Sequence, residues 1–461
     1  MMKVRVGKWL RTVVSSPAGR ATRRAFPPAG TSPAPPNWAG AARTAYRFGC
    51  VYAGLYCLTS PQVYLALRGG GMGHLQEAAD AWAKRWAIRP VRNWMSVRVL
   101  GRELGDRFDG GDDPHTWAGQ LCWLAGAAAA TPVWSVLDRR RTDRAALDKW
   151  FRLAARFCLA GQMFSYGAAK AVPLQFQLPP SKLVEPLGGL TQMSLLWAQT
   201  GSSKPYQILL GCAEITGGLL LIVPRTAPLG ALLCAVEMAQ VLLLNMTFDV
   251  PVKVHSFHLL LLGLLLLAPH TPRLADAAFT QRPLPAAAPT DLFRSRRANR
   301  IATALQAGAG LLLLGAQLRN DWAFWKNHGG GREKPELYGV WDVTGFSVDG
   351  EQLPPVTTDD RRWRRIVVDS VDAVAIQHMD DSIDPCMASI DMNARSVALT
   401  KMADPKWQVT FAFERPADDL LILDGEVDGR HHRLHLRRRD LTTFPLVSRG
   451  FHWVQENSSL R

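Results

Sequence analysis

Three apolar runs stand almost end to end in the middle of this chain, and they constrain its fold more than any other feature. They cover residues 206–223, 227–247 and 252–268. Each run approaches the roughly 20 residues that a helix needs to cross a bilayer core. The connectors 224–226 and 248–251 are very short, and helices joined in this way lie side by side in alternating directions. The sequence therefore predicts a helical membrane domain.

Four further apolar runs raise the expected number of membrane spans to about seven. They cover residues 45–67, 117–137, 150–172 and 301–318. Lysine and arginine are concentrated in segments 1–40, 138–149 and 269–300, and basic loops stay on the cytoplasmic side of a membrane. We therefore expect a cytoplasmic N-terminus and an external C-terminal portion. The expected location is a bacterial inner (cytoplasmic) membrane, with the lipid bilayer as the first partner.

The net charge of +15 belongs to the membrane portion of the chain. Residues 319–461 hold 19 basic and 23 acidic groups, so the positive excess lies in residues 1–318. The basic clusters flank apolar runs and do not line one soluble face, which argues against nucleic acid as a partner. Six of the seven cysteines fall within apolar runs and are interpreted as small buried hydrophobic residues.

The period of the apolar pattern changes after the glycines at 329–331, which divides the chain into domains. We predict a disordered basic tail (1–40), a helical membrane domain (41–319), a linker (320–336) and a soluble β-domain (337–461). Short alternating segments separated by turn residues predict an antiparallel barrel or sandwich. The predicted strands cover 339–346, 364–368, 373–378, 388–392, 397–399, 407–413, 420–423, 432–436 and 446–454. The expected fold class is multi-domain α + β.

A Gly-x-Trp motif opens the β-domain at Gly339 to Trp341, and Arg449 lies in its last predicted strand. This looks like the lipocalin pattern, in which a late arginine packs over that tryptophan. The resemblance implies that Trp341 is buried against Arg449 and that the barrel binds a small apolar ligand. A β-domain with a buried tryptophan and no ligand remains the alternative.

The membrane portion resembles the DoxX family, in its larger form with an additional C-terminal domain, over roughly residues 41–275. The matching motifs are FSYGAAK at 164–170, QFQLP at 175–179, GSSKPY at 201–206, GCAE at 211–214, PRTAPLGA at 224–231 and NMTFDVPVK at 245–253. The resemblance implies a core bundle of four helices. Some members of this family are similar to a subunit of a thiosulfate–quinone oxidoreductase, and others are linked to membrane redox complexes.

Ionisable residues within apolar runs mark the expected functional site, because charged groups at membrane depth are rare and face the protein interior. Tyr166 and Lys170 are four residues apart and share a helix face. We expect Lys170 to meet Glu214 and Glu237 in one interior pocket, with Tyr166 as a neighbouring donor. Such a site suits a quinone, since lysine and tyrosine donate to its oxygen and a carboxylate relays the proton. A buried ion-pair network with a structural role is the alternative.

His255 and His258 share a face of the last of the three central runs. A metal or haem needs more ligands than these two, so we predict a proton relay or a structural role and no metal site. Asp249 and Lys253 are expected to pair at the rim. The acidic turn at 108–114 is interpreted as a solvated turn.

Two classes of function follow from these features. The first is a quinone-linked membrane oxidoreductase subunit that works with redox partner subunits. The second is a non-catalytic membrane binding or transport protein whose external β-domain binds a lipid or a partner protein. The resemblance favours the first class, and the lipocalin-like motif favours the second.

Overall fold

The computed structural model describes residues 40–70, 89–105, 111–137, 145–279 and 291–454. The predicted basic tail lies outside these ranges, apart from Gly40, and so does the arginine-rich connector at 138–144. Within the described ranges, a helical region precedes a β-barrel. This confirms the expected order of an α-helical domain followed by a β-domain.

Helices account for nearly all of the regular structure before residue 330. They are α1 (Gly40–Thr59), α2 (Pro61–Leu67), α3 (Arg89–Met95) with a π-helical turn (Ser96–Leu100), α4 (Pro114–Leu137), α5 (Ala145–Ala171), α6 (Pro180–Val184), α7 (Gln192–Ser202), α8 (Lys204–Ile222), α9 (Ala227–Thr247), α10 (Lys253–Leu267), α11 (Thr271–Phe279) and α12 (Arg296–Asn327). Short 3-10 turns cover Leu187–Gly189 and Ala268–His270.

Five of the described helices are long and apolar enough to cross a membrane. They are α4, α8, α9, α10 with its 3-10 extension to His270, and α12. The count of seven spans stays a prediction. The run at 150–172 falls in α5, which is not among the five because it carries several charged side chains. These are Asp148, Lys149, Arg152, Arg156 and Lys170.

The first predicted run, 45–67, is not one helix. It is divided into α1 and α2 at Ser60, because Pro61 has no backbone N–H to continue the hydrogen-bond ladder of α1. Proline at the first position of a new helix is favoured, since that N–H would have no partner in any case. The predicted run therefore forms two helices, joined at Ser60, and not one continuous helix.

Helix α5 lies in the interior of the bundle and packs most extensively against α8. Glycines allow this close approach. A Cβ atom built on Gly211 would lie 2.4 Å from the backbone nitrogen of Ala171, and one built on Gly167 would lie 2.9 Å from the Gly211 carbonyl oxygen. Small residues at such contacts are typical of helix pairs that associate by backbone proximity.

The β-domain is a closed antiparallel barrel, so the alternative of a sandwich is excluded. Its strands are β1 (Gly339–Val348), β2 (Glu351–Gln352), β3 (Trp363–Val368), β4 (Ala373–His378), β5 (Ile383–Asp391), β6 (Ser396–Lys401), β7 (Gln408–Ala417), β8 (Leu420–Val427) and β9 (Arg430–Arg439). Each strand from β3 to β9 pairs with its neighbour in sequence, and β1 pairs with both β3 and β9. Eight strands thus close the barrel, and β2 extends β1 as a short hairpin.

Two details of the predicted β-domain are wrong. The segment 446–454 is not a strand, since the chain forms a 3-10 turn (Leu441–Thr443) and the short helix α13 (Pro445–Ser448) after β9. Arg449 lies after this helix and is exposed, whereas Trp341 is completely buried. The guanidinium of Arg438, on β9, lies 5.8 Å from the centre of the Trp341 ring instead, and the Trp341 Nε1 atom donates to the Leu337 carbonyl oxygen at 2.8 Å.

The barrel contacts the helical domain through α6 as well as through the chain that follows α12. The Asp369 carboxylate accepts hydrogen bonds from the Ser181 backbone nitrogen (3.0 Å) and hydroxyl (2.6 Å). The Gln377 Nε2 atom donates to the Val184 carbonyl oxygen at 2.9 Å. Burial raises the pKa of Asp369, although the hydrogen bonds from Ser181 oppose this shift. The barrel and the 173–203 segment therefore lie at the same end of the helical bundle.

Candidate functional site

A buried ion pair joins α5 to α8. The Lys170 Nζ atom lies 2.9 Å from Glu214 Oε1 and 2.8 Å from Glu214 Oε2, and the two side chains are only 9% and 6% exposed. The same Nζ atom lies 5.4 Å from the centre of the Tyr166 ring. The structure therefore brings together three of the four residues that were expected to form the interior pocket.

The glycine contact and the ion pair share one helix interface. Gly167 precedes Lys170 by three residues, and Gly211 precedes Glu214 by three, so each glycine lies on the same helix face as its charged neighbour. The close backbone approach at the glycines sets the distance that Lys170 bridges. The ion pair depends on packing that only the smallest residue permits.

Glu237 does not join this pair by a hydrogen bond. Both of its carboxylate oxygens are buried and have no hydrogen-bond partner among the described residues. The side chain lies against Gly217 of α8, where an added Cβ would be 3.3 Å from Glu237 Oε2. An ionised carboxylate buried without partners is costly, so this position suits the protonated form.

His255 lies in a hydrogen-bonded chain whose direction can be assigned. Gln162 Nε2 donates to the Gln62 carbonyl oxygen (2.8 Å), which leaves Gln162 Oε1 to accept from His255 Nε2 (3.0 Å). The His255 Nδ1 atom then accepts from the Tyr56 hydroxyl at 3.0 Å. A neutral imidazole donates with one nitrogen and accepts with the other, so this arrangement fixes the tautomer.

His258 makes a second tyrosine contact, and here the protons are not uniquely assigned. Its Nδ1 atom donates to the Val254 carbonyl oxygen (2.7 Å). Its Nε2 atom lies 2.7 Å from the Tyr52 hydroxyl oxygen, which also lies 2.8 Å from Gln120 Oε1. One hydroxyl proton cannot serve two acceptors. Either His258 carries a second proton, or the Gln120 amide turns and donates to Tyr52.

The two tyrosine–histidine pairs form one cluster. The Tyr56 ring stacks on His258 with centres 4.5 Å apart, and the His255 ring lies 5.7 Å from that of Tyr166. Trp123 packs edge-on against Tyr56 at 5.6 Å. We use the name tyrosine–histidine cluster for the following side chains: Tyr52, Tyr56, Gln120, Gln162, His255 and His258. Through Tyr166, this cluster is continuous with the Lys170–Glu214 pair.

Four members of the cluster were not predicted from the sequence. Tyr52 and Tyr56 lie in the first apolar run, and Gln120 and Gln162 are polar residues within the second and third runs. The four-residue spacing of the tyrosines places them on one helix face. That spacing, together with the two glutamines within apolar runs, was the sequence signal that could have predicted the cluster.

A small cavity connects the cluster with the barrel end of the bundle. It measures about 40 Å³, which is enough for ordered water. Its lining includes Tyr56, His255, Gln120, Arg92, Asp112 and His115. The cavity gives the buried imidazole of His255 a polar neighbourhood on the side of the 111–116 segment.

Asp112 has a structural role that the sequence reading missed. Its carboxylate accepts from the backbone nitrogens of Lys253 (2.8 Å) and Val254 (3.0 Å), so it satisfies free donors at the start of α10. The expectation of a solvated acidic turn is therefore wrong for Asp112. Lys253 also pairs with Asp249 at 2.8 Å, as predicted.

The described residues contain no group of three or more histidine, cysteine, aspartate or glutamate side chains that could hold a metal ion. No protein-family model matches this chain. No solved structure matches it either.

One curated protein is similar to part of the chain. The uncharacterized protein YwoB of Bacillus subtilis (strain 168) is 34% identical over 125 residues, which cover 27% of this chain and 79% of YwoB. The name of this relative states no activity. The chain belongs to the same family as YwoB.

Proposed function

We propose that this chain is an integral membrane subunit that moves protons between the barrel side of the membrane and a small lipid-soluble carrier of the quinone type. The observation that carries the proposal is the tyrosine–histidine cluster, which is buried among α1, α4, α5 and α10 yet borders a polar cavity. In this proposal the membrane is a bacterial cytoplasmic membrane, with the N-terminus inside and the barrel outside. Redox partner subunits supply or accept the electrons.

The cluster has the chemistry that proton transfer needs. Imidazole and phenol groups act both as donors and as acceptors, and histidine changes its charge more readily near neutral pH than other side chains. The Tyr52 hydroxyl faces two acceptors, His258 Nε2 and Gln120 Oε1. The two arrangements of this site differ by one proton on His258 Nε2 and by the orientation of the Gln120 amide, so the site can take up or release a proton.

The Lys170–Glu214 pair and Glu237 extend the polar region toward the middle of the bundle. Glu214 lies on α8 and Glu237 on α9, and the two helices are joined by a three-residue turn after Val223. Counted from that turn, both carboxylates lie roughly 15 Å along their helices. Glu237, buried without a hydrogen-bond partner in the described chain, is the proton-holding carboxyl group of the proposed site.

The cavity beside His255 serves as the aqueous entry and not as the carrier site. At about 40 Å³ it holds water molecules, whereas pockets for organic ligands measure about 300–1,000 Å³. The carrier reaches the cluster from the lipid side. There Phe257, which is 48% exposed, packs edge-on against His258 with ring centres 5.6 Å apart.

The alternative function, in which the barrel binds a small apolar ligand, has less support. An eight-stranded barrel is just wide enough for its own side chains to fill or for one small ligand. Trp341, Phe346 and Phe411 are completely buried in the barrel core. The resemblance to the DoxX family agrees with the redox proposal and stays an expectation.

The test is quinone binding by the purified full-length protein in lipid nanodiscs. We expect saturable binding of a short-chain benzoquinone or naphthoquinone, and quinone in organic extracts of the protein purified in mild detergent. His258→Gln and Tyr52→Phe should weaken binding about tenfold, since each removes roughly one hydrogen bond. Tyr206→Phe is the matched control, because this tyrosine is 44% exposed on α8.

The proposal fails if the unaltered protein shows no saturable quinone binding. It also fails if both cluster variants bind as the unaltered protein does. Phospholipid in place of quinone in the extracts, retained by His258→Gln and Tyr52→Phe but lost when the barrel core is altered by Trp341→Ala, would favour the binding or transport alternative.

A further inference from the structure

A second, much larger cavity lies at the end of the bundle opposite the barrel. It measures about 860 Å³, opens to the outside, and is lined by the first three turns of α12, by the turn at 223–225 and by residues 291–292. α12 contains 32 residues and is therefore about 48 Å long, and the barrel follows its far end. This cavity is independent of the tyrosine–histidine cluster.

The polar lining of this cavity is mainly basic. Arg225, Arg296 and Arg300 face it together with Asn299 and Thr303, and Asp291 is the one acidic residue of the described lining. Within the part of the chain that the structure describes, none of the three arginines forms an ion pair with a protein carboxylate. Three guanidinium groups against one carboxylate leave a net positive site for an anion.

A fourth arginine lies behind the cavity lining and contacts it through Gln306. Arg156 donates to the carbonyl oxygens of Leu221 (2.8 Å) and Ile222 (2.9 Å) at the C-terminus of α8, and its Nη2 atom lies 3.3 Å from Oε1 of Gln306, which lines the cavity. The carbonyl end of a helix repels anions. Because Arg156 covers these carbonyls, that repulsion is offset where an anion would approach.

The remaining walls are apolar and continue onto the outer surface of α12. Val223, Leu292 and Ala304 line the cavity. Ile301 and Leu305, on the same helix, are 53% and 69% exposed. A site with guanidinium groups beside an exposed apolar helix face suits a ligand that has an anionic head and a hydrocarbon chain.

We propose that this cavity binds the phosphate group of an anionic membrane phospholipid, with Arg225, Arg296 and Arg300 contacting the phosphate oxygens. Arginine is favoured for phosphate because its planar fork donates two parallel hydrogen bonds. The acyl chains lie along Ile301 and Leu305 of α12. Basic pockets beside membrane helices recognise anionic lipid headgroups in this way.

The test uses the full-length protein in detergent micelles, titrated with phosphatidylglycerol, with phosphatidylcholine or with inorganic phosphate. Binding is read as retained lipid in native mass spectra and as a rise in melting temperature. We expect phosphatidylglycerol to bind and the other two to have little effect. Replacement of two arginines in R296Q/R300Q should weaken phosphatidylglycerol binding about 10–30-fold, at roughly 1 kcal/mol for each basic group.

Two further variants keep the test decisive. Arg319→Gln changes an exposed arginine at the other end of the same helix and should bind phosphatidylglycerol as the unaltered protein does. If the double variant does not fold, the single variant Arg225→Gln, in an exposed turn, replaces it and should weaken phosphatidylglycerol binding about fivefold. Equal binding of phosphatidylcholine, equal stabilisation by inorganic phosphate, or an equal loss in Arg319→Gln would each overturn the proposal.

Discussion

Removal of Glu214 should destabilise the helical bundle far more than removal of an exposed carboxylate. Lys170 contacts both carboxylate oxygens of Glu214 in a site where its side chain is only 9% exposed. In Glu214→Gln, the ammonium group keeps only a neutral amide and the Tyr166 ring at 5.4 Å. Loss of one partner from a buried pair costs about 3–5 kcal/mol, and the Tyr166 contact, which is present before and after the substitution, does not offset this cost. We therefore expect a loss of about 3–5 kcal/mol.

The assay is the free energy of unfolding in mixed micelles, titrated with a denaturing detergent. Asp249→Asn is the matched control, since Asp249 is 84% exposed in its pair with Lys253 and exposed pairs contribute about 0–1 kcal/mol. The double variant Lys170→Met/Glu214→Leu removes both charges and should recover most of the lost stability. The reasoning is refuted if Glu214→Gln is as stable as Asp249→Asn, or if the double variant is no more stable than Glu214→Gln.

Three other substitutions test the packing and the electrostatics of the fold. Gly211→Ala should separate α5 from α8 and lower the melting temperature, because the added Cβ would lie 2.4 Å from a backbone nitrogen; recovery of unaltered stability would contradict the close contact. Trp341→Ala should destabilise the barrel by about 3–5 kcal/mol, as read from thermal unfolding, whereas Trp453→Ala, at an 89% exposed position, should have little effect. Burial alone would raise the pKa of Asp384, but hydrogen bonds from Lys401 and His378 lower the pKa below 3.8. The stability that Asp384→Asn removes should therefore be present above pH 3.8 and vanish as the pH falls below that value; a difference that is constant across this range would contradict the assignment.

The general architecture could be predicted because it rests on local patterns. Very short connectors forced α8, α9 and α10 to lie side by side. Of the nine strands predicted from the alternating pattern after residue 337, eight are present in the structure. The break at Ser60 was missed because hydropathy treats Pro61 as one more apolar residue. The segment 446–454 was taken for a strand because it is apolar, although the basic strand β9 closes the barrel.

The candidate site was only partly predictable because its members are distant in sequence. Charged residues in apolar runs pointed to Lys170 and Glu214, and their 44-residue separation is bridged by neighbouring helices. Tyr52 contacts His258 across 206 residues. Tyrosine is compatible with an apolar run, so its hydroxyl gives no signal until the partner is known.

The attachment of the barrel at two points has a mechanical consequence. One attachment is the 32-residue helix α12, which is about 48 Å long. The other is α6, which begins ten residues after Lys170 and holds Asp369 through Ser181. If a partner tilted the barrel about the end of α12, the barrel would pull on Ser181 through Asp369. The resulting tension would act on residues 171–179, which join Lys170 to α6. A force applied to the barrel would therefore reach the Lys170–Glu214 ion pair inside the bundle.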